Sequence, residues 1–384
     1  MLSVSHFLAA VCSLLGLAGA AYFGISIWAA KRFQAGPNRA IDREFAPPVS
    51  ILKSLRGLDP QMYTAFRSHC LLDYREYEVL FGVQDLNDPA LGLVETLREE
   101  FPLRSLRVIH CPQVLGLNGK VSTLAQMLPQ ARYEHVIIND SDIVVARDYL
   151  WRVLAPSAQP KVGMVTALYR GLAGHTLGAK LEALSLSTDF AGGVLVARAL
   201  EGGIRFGLGA TIATTKTILR EIGGLEPLTD YLGDDYEIGA RIATAGHKIE
   251  LAGTIVETVV PDYSFREFWH HQMRWARNIK DRRPVQYLGL ITTFGLVWAM
   301  LAVALNPFAW WTWIALAISV VARFTSALAV GRGVLQDPRV LRDLWLLPVR
   351  DCLALLIWIA SFAGNKVEWR GLRFRVRRGK LERI

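Results

Sequence analysis

No stretch limits the folding options of this chain as strongly as the apolar run from Phe7 to Ala30, because it commits the protein to a lipid environment. At 1.5 Å per residue, a helix of this length crosses a hydrocarbon layer of ~30 Å. The basic pair Lys31-Arg32 follows the run, whereas a secretory signal peptide has its charge first and a shorter apolar core. The positive-inside rule then places the N-terminus outside and the chain after Arg32 in the cytoplasm. A linker containing Gly36, Pro37, Pro47 and Pro48 leads onward. Hydrophobic residues make up 52% of the 384, so further membrane segments are expected. The net charge is +9, with basic residues concentrated beside apolar runs and in the final tail. Anionic lipid headgroups attract such residues, and the charge reads as membrane topology with no nucleic-acid partner. Cys12, Cys70, Cys111 and Cys352 show neither zinc spacing nor a disulfide framework, which places the soluble part in a reducing compartment.

From Val49 to about Pro261 the chain alternates between strand and helix patterns. Strands are expected at Val49 to Leu52, Tyr77 to Val83, Leu106 to His110, Val136 to Ile138 and Val162 to Ala167. Helices are expected at Pro60 to Cys70, Pro89 to Glu100, Gly119 to Leu128 and Tyr149 to Leu154. The succession predicts an α/β domain with a mostly parallel sheet and helices on both faces. Ligands of such sheets bind beyond the carboxyl ends of the strands. There the β-branched run Val136-Ile137-Ile138 delivers Asn139-Asp140-Ser141-Asp142. Asp140 and Asp142 can aim oxygens at one hard cation, as Mg²⁺ takes one or two protein carboxylates plus substrate phosphates. An Asp-rich turn is the plainer reading of the tripeptide alone.

Other stretches keep it company. Val83 to Pro89 carries Asp85 and Asp88 at a strand end, where Asp88 also suits an N-cap. Gly116-Leu117-Asn118-Gly119-Lys120 could bring backbone N–H groups and one ammonium to a phosphate, or be a plain turn. Gly233-Asp234-Asp235-Tyr236-Glu237 opens an amphipathic helix with more acid than a cap requires, and a desolvated carboxylate there could take a proton from an attacking hydroxyl. Ser264 to Arg283 mixes aromatic and basic residues, as an interfacial helix does. Its Arg274 and Trp275 could also grip a diphosphate and cover a sugar or base.

In this order, VQDLNDPA, GLNGK, NDSD, GDD and HQMRW resemble the membrane-bound ceramide glucosyltransferase family of inverting, GT-A-fold enzymes. The resemblance runs from Val49-Ser50-Ile51-Leu52-Lys53 to Trp369-Arg370-Gly371. It implies nucleotide binding at Asp88 with Asp85 beside it, metal and diphosphate at Asp140, and the general base at Asp235. Arg274 and Trp275 match the Arg-Trp of the family's Q/R-x-x-R-W signature, where His271 stands in the first position. Asp142 replaces a glycine of the animal enzymes, and Asp189 lies nearest the place of a histidine at their acceptor site. Leu168-Tyr169-Arg170-Gly171, Val256 to Val260 and Arg274 to Arg277 resemble the bacterial hopanoid-biosynthesis branch more closely. Together these readings give Asp235, Arg274 and Trp275 as catalytic residues. Asp85, Asp88, Lys120, Asp140, Asp234 and His271 become nucleotide-sugar contacts, and Asp140 and Asp142 ligands of Mg²⁺ or Mn²⁺. The implied partners are a UDP-sugar and a membrane lipid, hopanoid or ceramide, at a bacterial inner membrane. A processive polysaccharide synthase would need more membrane helices, and a non-catalytic scaffold would not explain recurring acidic pairs.

The expected organisation is a transmembrane helix over 1–32, a cytoplasmic GT-A domain over 33–262 and an interfacial helix over 263–284. A transmembrane hairpin over 285–330 follows, made of Tyr287 to Leu305 and Phe308 to Ala322 about an Asn306-Pro307 turn. Leu344 to Ala363 contains Pro348, Arg350 and Asp351. If it crossed, the basic tail would lie outside, so residues 331–384 are expected as a re-entrant segment and a basic tail.

Overall fold

The computed structural model describes residues 4–36, 43–369 and 371–384. Pro37 of the linker and Arg370 of the closing motif lie outside the described residues. The strands are β1 Val49–Ser54, β2 Tyr77–Val83, β3 Ser105–His110, β4 His135–Ile138, β5 Ile143–Val144, β6 Val162–Ala173, β7 Ile212–Thr215 and β8 Lys248–Val260, then β9 Lys366–Trp369, β10 Leu372–Arg377 and β11 Lys380–Arg383. The helices are α1 Val4–Gln34, α2 Met62–Cys70, α3 Ala90–Glu100, α4 Gly119–Met127, α5 Tyr149–Leu154, α6 Leu177–Ser185, α7 Ala191–Leu200, α8 Lys216–Glu221, α9 Asp234–Thr244 and α10 Phe265–Arg282. Beyond these come α11 Pro284–Gly289, α12 Gly295–Leu305, α13 Trp310–Ala327, α14 Arg339–Asp343 and α15 Leu347–Ser361.

The first eight strands form one sheet in the order β3-β2-β1-β4-β7-β6-β8-β5. β1, β2, β3 and β4 run parallel, as do β6 and β8, while β7 is antiparallel to both its neighbours and β5 to β8. Successive strand residues point to opposite faces, and the core divides accordingly. Leu52, Leu80, Val136 and Ile138 pack with Val121 and Leu124 of α4. Ile51, Val79, Phe81 and Ile137 pack on the other face with α2, α3 and α5. β7 and the long β8 lay outside the expected strands. β7 is four residues long, and β8 interleaves polar residues along a strand paired with β6 and β5.

Four helices among the described residues are long and apolar enough to cross a membrane: Val4–Gln34, Leu177–Leu200, Trp310–Val334 and Arg339–Ser361. Leu177–Leu200 lies within the span 33–262, where α6 and α7 join through a π-turn into one helix. Tyr287 to Leu305 is not one straight helix. Pro284–Thr293 and Gly295–Leu305 meet at a bend of 52°, where the Thr292 and Thr293 hydroxyls return to the Gly289 and Leu290 carbonyls. α1 ends in the sheet domain, with Ala29, Ala30 and Phe33 in its core.

The basic tail is folded. β9, β10 and β11 form an antiparallel sheet that alternates buried Phe374 and Val376 with exposed Arg373, Arg375 and Arg377. Its apolar face closes over Leu232, Leu232 N–H donates to the Gly379 carbonyl and Leu381 N–H to that of Asp230. The tail therefore lies against the loop that leads into α9.

Candidate active site

β4 ends at Ile138, and the next residues are fixed before the carboxylates are reached. The buried Asn139 amide donates to Ala210 O at 2.6 Å and to the Tyr149 hydroxyl at 3.0 Å. This lashes the turn to the segment before β7 and to α5, so Asp140 and Asp142 emerge at a defined place. The Asp142 Oδ2 accepts from the Thr258 hydroxyl of β8 at 2.6 Å. Burial, then the charge of Asp140, pushes the Asp142 carboxyl up to about 6.

α4 and α9 supply the rest. Asn118 caps α4 through the Val121 N–H and ties its loop to the Tyr231 carbonyl. Lys120 in the first turn places Nζ 2.6 Å from Asp140 Oδ1 and 3.0 Å from Asp234 Oδ2. Burial alone would lower this ammonium, but the two aspartates outweigh it and hold it above its ordinary value. Asp235 follows at the start of α9. Burial, then Asp234, pushes its carboxyl up to about 6 against the pull of Lys120. A Cβ at Gly209 would lie 3.0 Å from Asp140 Oδ2 and 3.4 Å from Asp235 Oδ2. The two carboxylates thus converge on a gap that a glycine leaves open.

These groups line one cavity of about 910 Å³ together with His271, Arg274 and Trp275 of α10. Ser264 and Glu267 form a capping box that starts α10. Arg274 sits 6.0 Å from the ring of Trp369 in β9, so the folded tail supports the guanidinium. His271 places Nδ1 2.9 Å from Glu182 Oε2 of α6 and packs against Trp275 at 5.1 Å. That contact makes it a bridge between α10 and α6 as well as a cavity residue.

Asp85 and Asp88 are not brought to this cavity. Asp85 Oδ1 accepts from the Asn87 backbone and side chain. Asp88 accepts from Gly57 N–H at 2.8 Å and Ala90 N–H at 2.9 Å, so it braces the β1 loop against α3. Sequence reasoning also overlooked three contributors. Lys53 is fully buried in β1, donates to the Asp140 carbonyl at 3.1 Å and is pulled down by burial to about 7. A lysine inside an apolar strand was its signal. Asp59 accepts from the Ser141 hydroxyl at 3.0 Å, and Gly209 arrives from a distant loop with no local signature.

The donor set fits a divalent cation of the kind that takes few protein ligands. Asp140 and Asp142 repel one another, which a cation would relieve. No group of three His, Cys, Asp or Glu residues able to hold a metal lies together among the described residues, and a cation completed by substrate phosphates requires none.

A mixed sheet with acidic turns at its strand ends, a cavity over them and apolar helices beside it is the architecture of a glycosyltransferase of GT-A fold. The chain belongs to glycosyl transferase family 21, whose sequence profile matches residues 11–382. Ceramide glucosyltransferase 1 of Caenorhabditis elegans is 24% identical over 347 residues, 86% of this chain and 72% of that protein. Ceramide glucosyltransferase 3 of the same animal is 24% identical over 232 residues, 60% of this chain and 50% of that one. A mannosyltransferase from Pyrobaculum calidifontis, solved with GDP-mannose and Mn²⁺, superposes with a TM-score of 0.52 at 20% identity, covering 92% of this chain and 98% of that one.

Proposed function

We propose that this glycosyltransferase moves a single sugar from a UDP-sugar, UDP-N-acetylglucosamine or UDP-glucose, to a hydroxyl of a membrane lipid with inversion. The acceptor is a hopanoid such as bacteriohopanetetrol, with ceramide as the alternative. The observation that carries this reading is the position of Asp235: a half-buried carboxylate, raised to about 6, on a cavity that continues between apolar helices. A base so placed accepts the proton of a lipid hydroxyl as its oxygen attacks the anomeric carbon, a contribution typically worth ~10² to 10⁴ in rate. Asp140 and Asp142 would hold the divalent cation, which when bound offsets charge on the departing diphosphate. Lys120 adds a fixed positive charge beside Asp140, Arg274 a second on the cavity lining, and Trp275 a flat apolar wall. Lys31 and Arg32 at the end of α1 support a cytoplasmic catalytic domain on a bacterial inner membrane. The domain boundaries expected from the sequence carry over as part of the proposal, with residues 366–383 moved from tail to folded sheet.

The test is a transfer assay on detergent-purified protein, with both UDP-sugars against bacteriohopanetetrol and ceramide, in Mn²⁺ or EDTA, with lipid products read by mass. A glycolipid formed in Mn²⁺ and absent in EDTA is expected. UDP release without lipid product sends the acceptor elsewhere, and no reaction with any donor overturns the reading.

A further inference from the structure

The cavity that holds Asp235 extends to a second polar cluster, set among the membrane-length helices and separate from the carboxylates at the strand ends. Its members are Asp189 between α6 and α7, Arg323 of α13, and Arg350 and Asp351 of α15, all lining the cavity. Arg323 is 1% exposed, and Arg350 and Asp351 are 6% exposed. Charges at that depth are costly and mark function. Arg323 Nε and Nη2 each lie 2.8 Å from Asp351, and Nη2 lies 2.6 Å from Asp189 Oδ1. Arg350 contacts the Ser185 hydroxyl, with Nη2 3.8 Å from Asp189 Oδ2.

The cluster is incompletely satisfied. Arg350 Nε and Nη1, Arg323 Nη1 and Asp189 Oδ2 have no hydrogen-bond partner among the described residues, although buried guanidinium and carboxylate groups ordinarily find one. Two arginines and two aspartates sum to zero, so a charged headgroup would bring an uncompensated ion into a desolvated site. The unpartnered atoms are three donors and one acceptor, and a hydroxyl is the group that serves both.

We infer that Asp189, Arg323, Arg350 and Asp351 form an acceptor-headgroup subsite that binds a non-reacting hydroxyl of an uncharged, polyhydroxylated lipid. Arg350 donates to that hydroxyl, which donates in turn to Asp189. The inference rests on the proposed lipid transfer and deepens it, because the acceptor must carry a second hydroxyl besides the one that is glycosylated.

The test separates binding from turnover. The full chain in detergent is titrated without donor with hexadecylglycerol, hexadecanol and hexadecyl phosphate, reading the shift in thermal unfolding. Hexadecylglycerol should bind about tenfold more tightly than hexadecanol, as expected for hydrogen bonds to charged groups, and hexadecyl phosphate should not exceed hexadecanol. Asp189→Ala and Arg350→Lys should each bring the diol-to-alcohol ratio within about twofold; a merely structural role would weaken all three lipids alike. No preference for the diol in the native protein overturns the subsite even if both variants fail to fold. So does a preference that both variants retain, or tightest binding of the phosphate. A diol preference that depends on Asp189, with no sugar transferred from any donor, upholds the subsite and overturns the transfer reading. Transfer without that preference does the reverse.

Discussion

Asp235 and Asp140 come from distant parts of the chain and meet over Gly209, where no side chain intervenes. The surroundings of Asp235 set its pH behaviour. A general base must be ionised, so the acid limb of the pH–rate profile is expected near 6, where burial and Asp234 have placed this carboxyl. Because Lys120 lowers Asp235, Lys120→Met should move that limb to higher pH, measured as kcat/KM against pH. Asp235→Asn removes the base and keeps the shape; transfer should fall by ~10² to 10⁴ with UDP binding intact. Loss of UDP binding in Asp235→Asn would argue for a nucleotide-holding role instead.

Among the elements, α1 and α12 show how a membrane bundle is held without a hydrophobic drive between helices. Gly19 and Gly295 meet so closely that a Cβ on Gly19 would lie 2.3 Å from the Gly295 Cα, and the Ser319 hydroxyl donates to the Gly16 carbonyl. Small residues at such crossings let backbones approach. Gly19→Ala should lower stability by about 1–3 kcal/mol, the usual cost of overpacking, as a lower thermal midpoint in detergent. Gly24→Ala, on the same helix with nothing within 4 Å, should leave the midpoint unchanged or raise it slightly. A matching loss at Gly24 would overturn the crossing as the cause, because Ala is the better helix former and helix propensity alone cannot produce a loss.

For the whole molecule, the contacts of the tail constrain topology. β10 and β11 cover Leu232 beside the acidic start of α9, and β9 sets Trp369 against Arg274. The tail and the sheet domain therefore share one side of the membrane. In sealed vesicles, a protease that cuts the sheet domain should remove the tail from that same side, and cutting of the tail alone from the opposite side would overturn this arrangement. The same contacts bring the C-terminal sheet to the rim of the candidate site, so folding of the last residues and competence of α10 are coupled.

Elements whose signals are local could be read directly from the order of residues. β2 and α5 have the bounds that their apolar patterns and flanking turns predict, and Asp140, Asp142, Lys120, Asp234 and Asp235 were legible as polar punctuation at strand and helix ends. α10 was legible from its aromatic and basic face, and α1 from its length. What remained hidden depends on residues far apart in the chain. Asp88 reads as a site residue, and only the tertiary structure shows its oxygens accepting from the Gly57 and Ala90 N–H groups. His271 reads as a substrate contact and does line the cavity, but its contact with Glu182 is set by packing of α6 on α10. The pairing of β7 with β4 and β6 and of β8 with β6 and β5, the break between α11 and α12, and the folding of the tail into a sheet follow from close approach and from hydrogen bonds between distant segments. So does the meeting of Asp189, Arg323, Arg350 and Asp351. Local periodicity fixes which face of an element is apolar, whereas the polar groups left facing one another are settled when those faces pack together and exclude water.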